Sequence, residues 1–423
     1  MPGILKTITL GCKVNQYETE FVREGLLGSG FRDAARDEPA DLCVVNTCTV
    51  TNEGDAKSRQ LIRRLARENP RARIVVMGCY ATRAPQEVAA LPGVTEVVTD
   101  KRELPDLLRR LGAIDIPSGI SGFGQRHRAY VKVQDGCLLR CSYCIIPHVR
   151  PQLASRPVED VSTEVRRLIA NGFREIVLTG VHLGHYGVEQ NWGRPKREWT
   201  RLADLVERLA QLPGEFRLRL SSIEATELTD ELIAVLARYP DRVCPHLHVC
   251  LQSGSDAVLR RMRRRWGRQR FLDRCRHVQS LLDRPAFTTD VLVGFPGETA
   301  EDFEQTCEAL RAVGFSKTHV FPFSPRTGTP AAEMSDRVPP PVVARRVQQV
   351  RMLERQLRDE YFRSLEGQQL RVLVESPLAT GRERFVGTSC RYAPVELTSD
   401  TDLCGQLVDV IAGPVVAGRI VAQ

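Results

Sequence analysis

Asp135-Gly136-Cys137-x3-Cys141-x-Tyr143-Cys144 places three cysteines within eight residues. Thiolates so spaced can wrap one corner of a cubane iron–sulfur cluster and ligate three irons, leaving the fourth without a protein ligand. Such an open iron can be chelated by a small molecule through an amine and a carboxylate. The competing reading is a zinc site completed by His148, at Cys144-x3-His148. Position favours the cluster, because the run follows the first strand of a series of strand–helix units. Active sites of barrels built from such units gather at the carboxyl ends of the strands.

Three more cysteines stand in Leu10-Gly11-Cys12, Asn46-Thr47-Cys48 and Met77-Gly78-Cys79, each at the carboxyl end of an expected parallel strand. In an open α/β sheet those ends share one edge, where ligand sites form. Residues 36 and 31 apart in sequence can therefore meet at one cluster. Independent core thiols would have no reason to keep phase with the strands. A nucleotide-binding or flavodoxin-like domain is the alternative, but neither G-x-G-x-x-G nor a Walker sequence follows the first strand. Cys12-Lys13-Val14-Asn15-Gln16 stands there instead. The other cysteines (Cys43, Cys244, Cys250, Cys275, Cys307, Cys390 and Cys404) lack ligand spacing, and most read as small buried hydrophobes.

The elements that position these residues follow from periodicity. Strand-like runs at 4–10, 42–46, 73–77 and 94–99 alternate with helical patterns at 17–27, 55–67, 84–90 and 103–111. That alternation predicts a parallel α/β sheet with right-handed crossovers. A Gly/Ser/Pro-rich stretch, 112–124, reads as a linker. Strands then follow at 129–134, 175–179, 217–221, 247–251, 288–293 and 318–323, with helices between, which predicts an open (β/α)6 barrel. The polar, glycine-containing segment 185–200 reads as a loop excursion. Beyond the Pro-rich 324–341 lies a long charged helix at 342–365. Short β-type runs at 370–375, 385–386, 395–397, 406–411 and 418–421 then predict a small antiparallel barrel. The expected division is 1–113, 125–360 and 361–423.

At 423 residues the chain exceeds one ordinary core. Its net charge of +8 suits a polyanion such as RNA, and arginine on solvated helix faces accounts for it equally well. Thirteen cysteines in a chain without a disulfide-scaffold pattern point to metal ligation or buried thiols. No apolar run approaches the roughly 18–20 residues of a transmembrane helix. Met1-Pro2-Gly3-Ile4-Leu5-Lys6 runs straight into a strand without a signal peptide. A cytoplasmic protein with no membrane contact is expected.

The 137–144 run, with Tyr143 before its last cysteine, resembles the radical S-adenosylmethionine superfamily. That resemblance implies a cofactor site at successive strand ends. Thr179 and Gly180 would meet the methionine amino group, and Arg264 its carboxylate. Glu224 or Asp290 would take the ribose hydroxyls, with Gln252 nearby and Gly294, in Gly294-Phe295-Pro296-Gly297-Glu298, letting adenine approach. Singly, each of these would more readily be a structural polar residue.

Together the two cysteine sets make the chain resemble the methylthiotransferase family over essentially its full length: an N-terminal cluster domain, a radical S-adenosylmethionine barrel and a C-terminal TRAM domain. The matching motifs are Gly11-Cys12-Lys13-Val14-Asn15-Gln16-Tyr17-Glu18-Thr19-Glu20, Asn46-Thr47-Cys48-Thr49-Val50-Thr51 and Gly78-Cys79-Tyr80-Ala81. Lys13-Val14-Asn15-Gln16 is most similar to the branch acting on threonylcarbamoyladenosine beside the tRNA anticodon. The branches acting on isopentenyladenosine and on a ribosomal-protein aspartate differ there.

The resemblance implies two 4Fe–4S clusters, on Cys12/Cys48/Cys79 and on Cys137/Cys141/Cys144, and two S-adenosylmethionine molecules, one a methyl donor and one a radical source. It also implies a tRNA anticodon stem-loop as substrate, a low-potential electron donor and a sulfur source. The radical formed at the barrel cluster would take hydrogen from an adenine carbon, and the N-terminal cluster would present methylated sulfur.

Arg150-Pro151-Gln152-Leu153-Ala154-Ser155-Arg156 departs from the family's Arg-Gly-x-x-Arg-Ser-Arg string, Cys250 stands for a usual proline and Trp266 for a tyrosine. In the C-terminal zone Arg371, Arg382, Arg384 and Arg391, with Phe385 and Tyr392, are the expected RNA contacts, and the basic run 260–265 is a second. A non-catalytic iron–sulfur RNA-binding protein is the different-class alternative.

Overall fold

The computed structural model describes residues 3–124, 126–378 and 383–423, so Arg382 lies outside the described residues. The first domain runs β1 (Ile4–Thr9), α1 (Lys13–Gly28), β2 (Arg32–Asp33), β3 (Leu42–Thr47), α2 (Asn52–Glu68), β4 (Arg73–Gly78), α3 (Cys79–Arg83), α4 (Pro85–Ala89), β5 (Val94–Val97) and α5 (Leu104–Arg110). Its sheet is parallel, in the order β2-β1-β3-β4-β5. The short edge strand β2 is an addition to the elements expected from periodicity. Val44, Val45, Val75 and Val76 are fully buried, as β-branched residues are in a sheet covered on both faces.

The second domain runs β6 (Arg128–Asp135), α6 (Ile146–Val149), β7 (Ala154–Ser155), α7 (Val158–Ala170), β8 (Glu175–Gly180), α8 (Leu202–Ala210), β9 (Arg217–Leu220), β10 (Ser222–Ile223), α9 (Asp230–Arg238), β11 (His246–Val249), α10 (Asp256–Arg261), α11 (Arg268–Leu281), β12 (Ala286–Val293), α12 (Ala300–Val313) and β13 (Lys317–Pro322). Two sheets, β7-β6-β8-β9 and β10-β11-β12-β13, meet where β9 and β10 are separated by Ser221. Counting β9 and β10 as one broken strand gives the expected six-stranded barrel, open between β6 and β13. Helix α7 shows how its helices seat, burying Val161, Val165, Leu168 and Ile169 at helical spacing.

After α13 (Pro340–Arg363) the chain closes a five-stranded barrel of β14 (Gln369–Pro377), β15 (Arg384–Ser389), β16 (Pro394–Thr398), β17 (Leu407–Val416) and β18 (Arg419–Ala422). Its pairings are antiparallel except β16 with β18, which is parallel. No helix of the described residues is long and apolar enough to cross a membrane.

Buried charge joins the first two domains. Arg150 Nη1 donates to Glu18 Oε1 at 2.8 Å and to both Asp135 oxygens at 2.9 Å, and Nη2 to Glu18 Oε2 at 2.8 Å and Asn15 Oδ1 at 3.1 Å. Lys132 Nζ bridges the same carboxylates at 2.7 and 2.5 Å. Beside this quartet, Tyr17 of α1 packs into the barrel core with Val131 and Val133. Arg326, just beyond β13, is a second bolt: it donates to Asn52 Oδ1 at 2.6 Å and Asp55 Oδ2 at 2.7 Å. The 112–124 segment is fastened to both domains. Glu24 accepts from the amides of Ser121 and Gly122, Glu164 accepts from that of Ile120, and Ile120 and Phe123 are core residues.

Burial opposes ionisation of Glu18, but Arg150 and Lys132 outweigh it and hold its carboxyl down at about 2. This lies below the unfolded value of about 4.3, so the contribution of Glu18 to stability is complete above roughly pH 5 and is lost as pH falls through 2. Glu18→Gln strands part of the buried Arg150 charge and should cost about 3–5 kcal/mol, measured by chemical denaturation at neutral pH; a loss below about 1 kcal/mol would contradict the bridge.

Candidate active site

In the first domain the three cysteines sit where strand ends turn into helices. Cys12 is the N-cap residue of α1, Cys48 follows β3, and Cys79 opens α3. A Cβ built on Gly11, whose φ is +102°, would stand 3.2 Å from Cys48 Sγ, so only glycine lets these two loops approach. Asn15 ties the loops together, its Nδ2 donating to Leu10 O at 2.9 Å and Thr47 O at 3.0 Å. Asn46 Nδ2 donates to Asn15 O at 2.9 Å, and Thr47 Oγ1 to Met77 O at 2.7 Å. The three thiols lie close together: negative charge on Cys79 opposes ionisation of Cys12, and charge on Cys79 or Cys12 opposes that of Cys48. Burial pushes Cys12 up most, and the Arg150 guanidinium pulls it part of the way back.

In the barrel, Gly136 precedes the cysteine loop at φ +80°, where a Cβ would fall 1.9 Å from Gln152 O. Cys137, Cys141 and Cys144 line a cavity of about 160 Å³ together with Tyr143, Glu224, Gln252 and Arg264. Arg264 Nη1 donates to Cys141 Sγ at 3.4 Å, and its Nη2 pairs with Glu224, which also accepts from Trp266 Nε1 at 3.0 Å. Arg264 Nε is buried without a partner among the described residues, which leaves this guanidinium capacity for a further acceptor. Gln252 holds a left-handed φ of 63°, fixed because its N–H donates to Asp290 O at 2.8 Å and its carbonyl accepts from Leu292 N at 2.9 Å. Such strain costs of order 1–3 kcal/mol and gathers at functional sites. Burial pushes the Cys144 thiol up to about 12, so ligation there must release a proton.

Tyr143, Glu224, Gln252 and Arg264 thus come together as the sequence suggests, while Thr179, Gly180, Asp290 and Gly294 do not line that cavity. Thr179 is buried within β8, and Gly180 stands against Gln134. Asp290 instead faces His248 at 3.4 Å, within a His248–Asp290–His319 group. Gly294 donates its N–H to Glu298 Oε1 at 3.1 Å. His148 is exposed and does not line the cysteine cavity, which removes the support for a zinc site at Cys144.

Sequence reasoning missed His182, whose Nδ1 lies 3.4 Å from Cys137 Sγ and whose Nε2 lies 2.8 Å from Glu227 Oε1. It also missed the position of Cys250 in the same cavity. Neither carried a spacing signal. The sets adjoin, for Cys79 packs on Ile145 and Val149 immediately after Cys144.

The residues expected to meet RNA in the C-terminal barrel are mostly committed elsewhere. Glu175 is buried; Arg217, Arg219 and Arg128 overcome the effect of burial and hold its carboxyl well below the usual range. Arg217 and Arg219 in turn donate to the carbonyls of Arg371, Thr388, Ser389 and Cys390, at 2.5 to 3.1 Å. Tyr392 stacks on His246 at 4.6 Å, Arg391 bonds Asp283 at 3.0 Å, and Arg371 reaches Glu215 at 3.2 Å. Phe385 is core, and Arg384 pairs with Glu396. Arg217 and Arg219 above all dock the barrel, because the carbonyls they satisfy would otherwise be buried unpaired.

Residues 5–100 match the family described as Uncharacterized protein family UPF0004, and residues 131–310 match the Radical SAM superfamily. The threonylcarbamoyladenosine tRNA methylthiotransferase MtaB of Bacillus subtilis (strain 168) is 41% identical over 95% of this chain and 92% of its own. A tRNA-2-methylthio-N(6)-dimethylallyladenosine synthase of Carboxydothermus hydrogenoformans is 33% identical over 95% of both chains. Among solved structures, the radical S-adenosylmethionine methyltransferase TsrM of Kitasatospora setae is similar in fold, with TM-score 0.51 and 16% identity over 78% of this chain and 77% of that one. Full-length likeness at this identity, with both cysteine sets in register on their strand ends, means that this chain belongs to the methylthiotransferase family of radical S-adenosylmethionine enzymes.

Proposed function

We propose that this protein converts threonylcarbamoyladenosine, next to the anticodon of tRNA, to its 2-methylthio derivative in the cytoplasm, drawing on a low-potential electron donor and a sulfur source. The observation that carries the reading is that the two three-thiol sites adjoin, Cys79 of the first packing on Ile145 and Val149 in the segment that follows Cys144 of the second. The choice of base is supported by the B. subtilis relative at 41% identity, against 33% for the dimethylallyladenosine synthase of C. hydrogenoformans.

Cys12, Cys48 and Cys79 would hold one 4Fe–4S cluster and Cys137, Cys141 and Cys144 the other, since soft sulfur donors in threes suit such clusters and leave each an open iron. When bound, these clusters and S-adenosylmethionine supply reductive cleavage, hydrogen abstraction, and sulfur and methyl donation. The chain's own groups bind, orient and shield. Arg264, held by Glu224, offers its guanidinium to the cofactor carboxylate, and its bond to Cys141 offsets negative charge on that sulfur. Tyr143, edge-on to Phe295 at 6.4 Å, walls the cavity from water. The Asn15–Asn46–Thr47 network keeps the N-terminal loops at fixed separation, and outer-shell bonds of this kind orient ligands.

Reconstituted protein should hold about eight irons, and Cys137→Ala about four with no 5′-deoxyadenosine formed under reductant; four irons in the unaltered chain would defeat the two-cluster reading. Arg264→Ala should keep its iron yet bind S-adenosylmethionine roughly 10- to 100-fold more weakly by equilibrium dialysis, as expected for a lost bond to a charged group. For the substrate, the purified enzyme should methylthiolate anticodon stem-loop RNA carrying threonylcarbamoyladenosine, read by nucleoside mass spectrometry. Turnover only of RNA carrying isopentenyladenosine would overturn the assignment.

A further inference from the structure

Between β8 and α8 the chain makes an excursion that the chemistry above does not use. Its frame is firmly built. Buried Asn191 exchanges bonds with Thr200, Oδ1 accepting from the Thr200 N–H at 3.0 Å and Nδ2 donating to its carbonyl at 2.9 Å. Trp199 Nε1 donates to Arg194 O at 2.9 Å, and Glu189 accepts from Ser155 N at 2.5 Å. On this frame Trp192 stands 67% exposed, so its indole face is open to a partner. Around it Arg194, Lys196 and Arg201 are exposed, and among the described residues neither Arg194 nor Lys196 has a carboxylate partner. The Arg201 guanidinium lies 4.5 Å over the Trp199 ring.

Beneath lies a cavity of about 420 Å³ whose lining includes Trp192, Arg194, Trp199, Arg201, His185 and Glu227. Glu227 is the carboxylate that holds His182 against Cys137, so one residue separates this cavity from the thiols. Arg194 and Lys196, without carboxylate partners among the described residues, together with Arg201 and the rings of Trp192 and Trp199, form a surface complementary to single-stranded nucleic acid: phosphates meet the cations and unstacked bases meet the rings. In the C-terminal barrel, by contrast, Arg371, Arg391 and Tyr392 are engaged in docking.

We propose that the excursion at 185–201 is the shelf that receives the unpaired loop of the substrate RNA, a nucleobase stacking on Trp192 while Arg194, Lys196 and Arg201 hold the flanking phosphates. The proposal rests on the tRNA reading above. It delivers the loop beside the Cys137 site, and the fixed frame means that little ordering cost falls on the protein when RNA arrives.

The test is fluorescence anisotropy of a labelled anticodon stem-loop RNA titrated with the full-length, cluster-loaded protein over a range of salt concentrations, with visible absorbance confirming cluster content in every variant. Trp192→Ala should weaken binding between about fivefold and a hundredfold, the range for loss of one base–aromatic stack, and Trp192→Phe should recover most of it. Arg194→Ala with Lys196→Ala should reduce the slope of log affinity on log salt by about 0.7 for each phosphate that is no longer neutralised. Variants that bind within twofold of the unaltered protein, with an unchanged salt slope, overturn the shelf and leave the surface to a partner other than RNA. Failure of the unaltered protein to bind the RNA overturns the tRNA reading and the shelf with it.

Discussion

Four charges at the domain junction, buried Glu18 and Arg150 with half-buried Lys132 and Asp135, decide how the two cysteine sets face each other. Taking such ions from water costs several kcal/mol each, and mutual attraction repays it only in one geometry. The arrangement therefore works more through specificity than through stability: α1 can lie across the barrel opening in one register, or the charges are left unpaired. Its members reach both sites. Asp135 stands two residues before Cys137, and Arg150 bonds Asn15, whose side chain ties the loops of Cys12 and Cys48.

The other contacts follow the same logic of satisfying buried polar groups across a boundary. Arg326 secures the far side of the N-terminal domain through Asn52 and Asp55. Arg217 and Arg219, steadied by Glu175, donate to carbonyls of the C-terminal barrel and so attach it to the starts of the barrel strands, away from the cysteines. Three domains are thus held by arginine at their junctions. The positive charge of these junction arginines is spent inside the molecule rather than offered to a polyanion.

This explains why the basic–aromatic residues read as RNA contacts in the C-terminal zone are largely committed to docking, whereas the excursion at 185–201 read from sequence only as a polar loop. In both, arginine and aromatic side chains interleave. Tyr392 lies against His246 and Arg219, whereas Trp192 faces solvent. Composition and spacing cannot separate these cases, because the partner of a charge lies on a distant segment.

Sequence alone determined the strand–helix alternation, the six barrel strands and the phase of six cysteines with strand ends, because side-chain periodicity and backbone turns are local properties. It also carried the residues of the domain junction, since Asn15, Tyr17 and Glu18 all lie in the motif after Cys12, though not their purpose. Tertiary structure decided that Arg150 is a bridge, that the 112–124 segment is stapled, that Arg264 and Glu224 are one unit, and that Asp290 turns to His248. Each depends on which buried donor meets which acceptor, a condition imposed by burial over separations of up to 277 residues, as between Arg326 and Thr49.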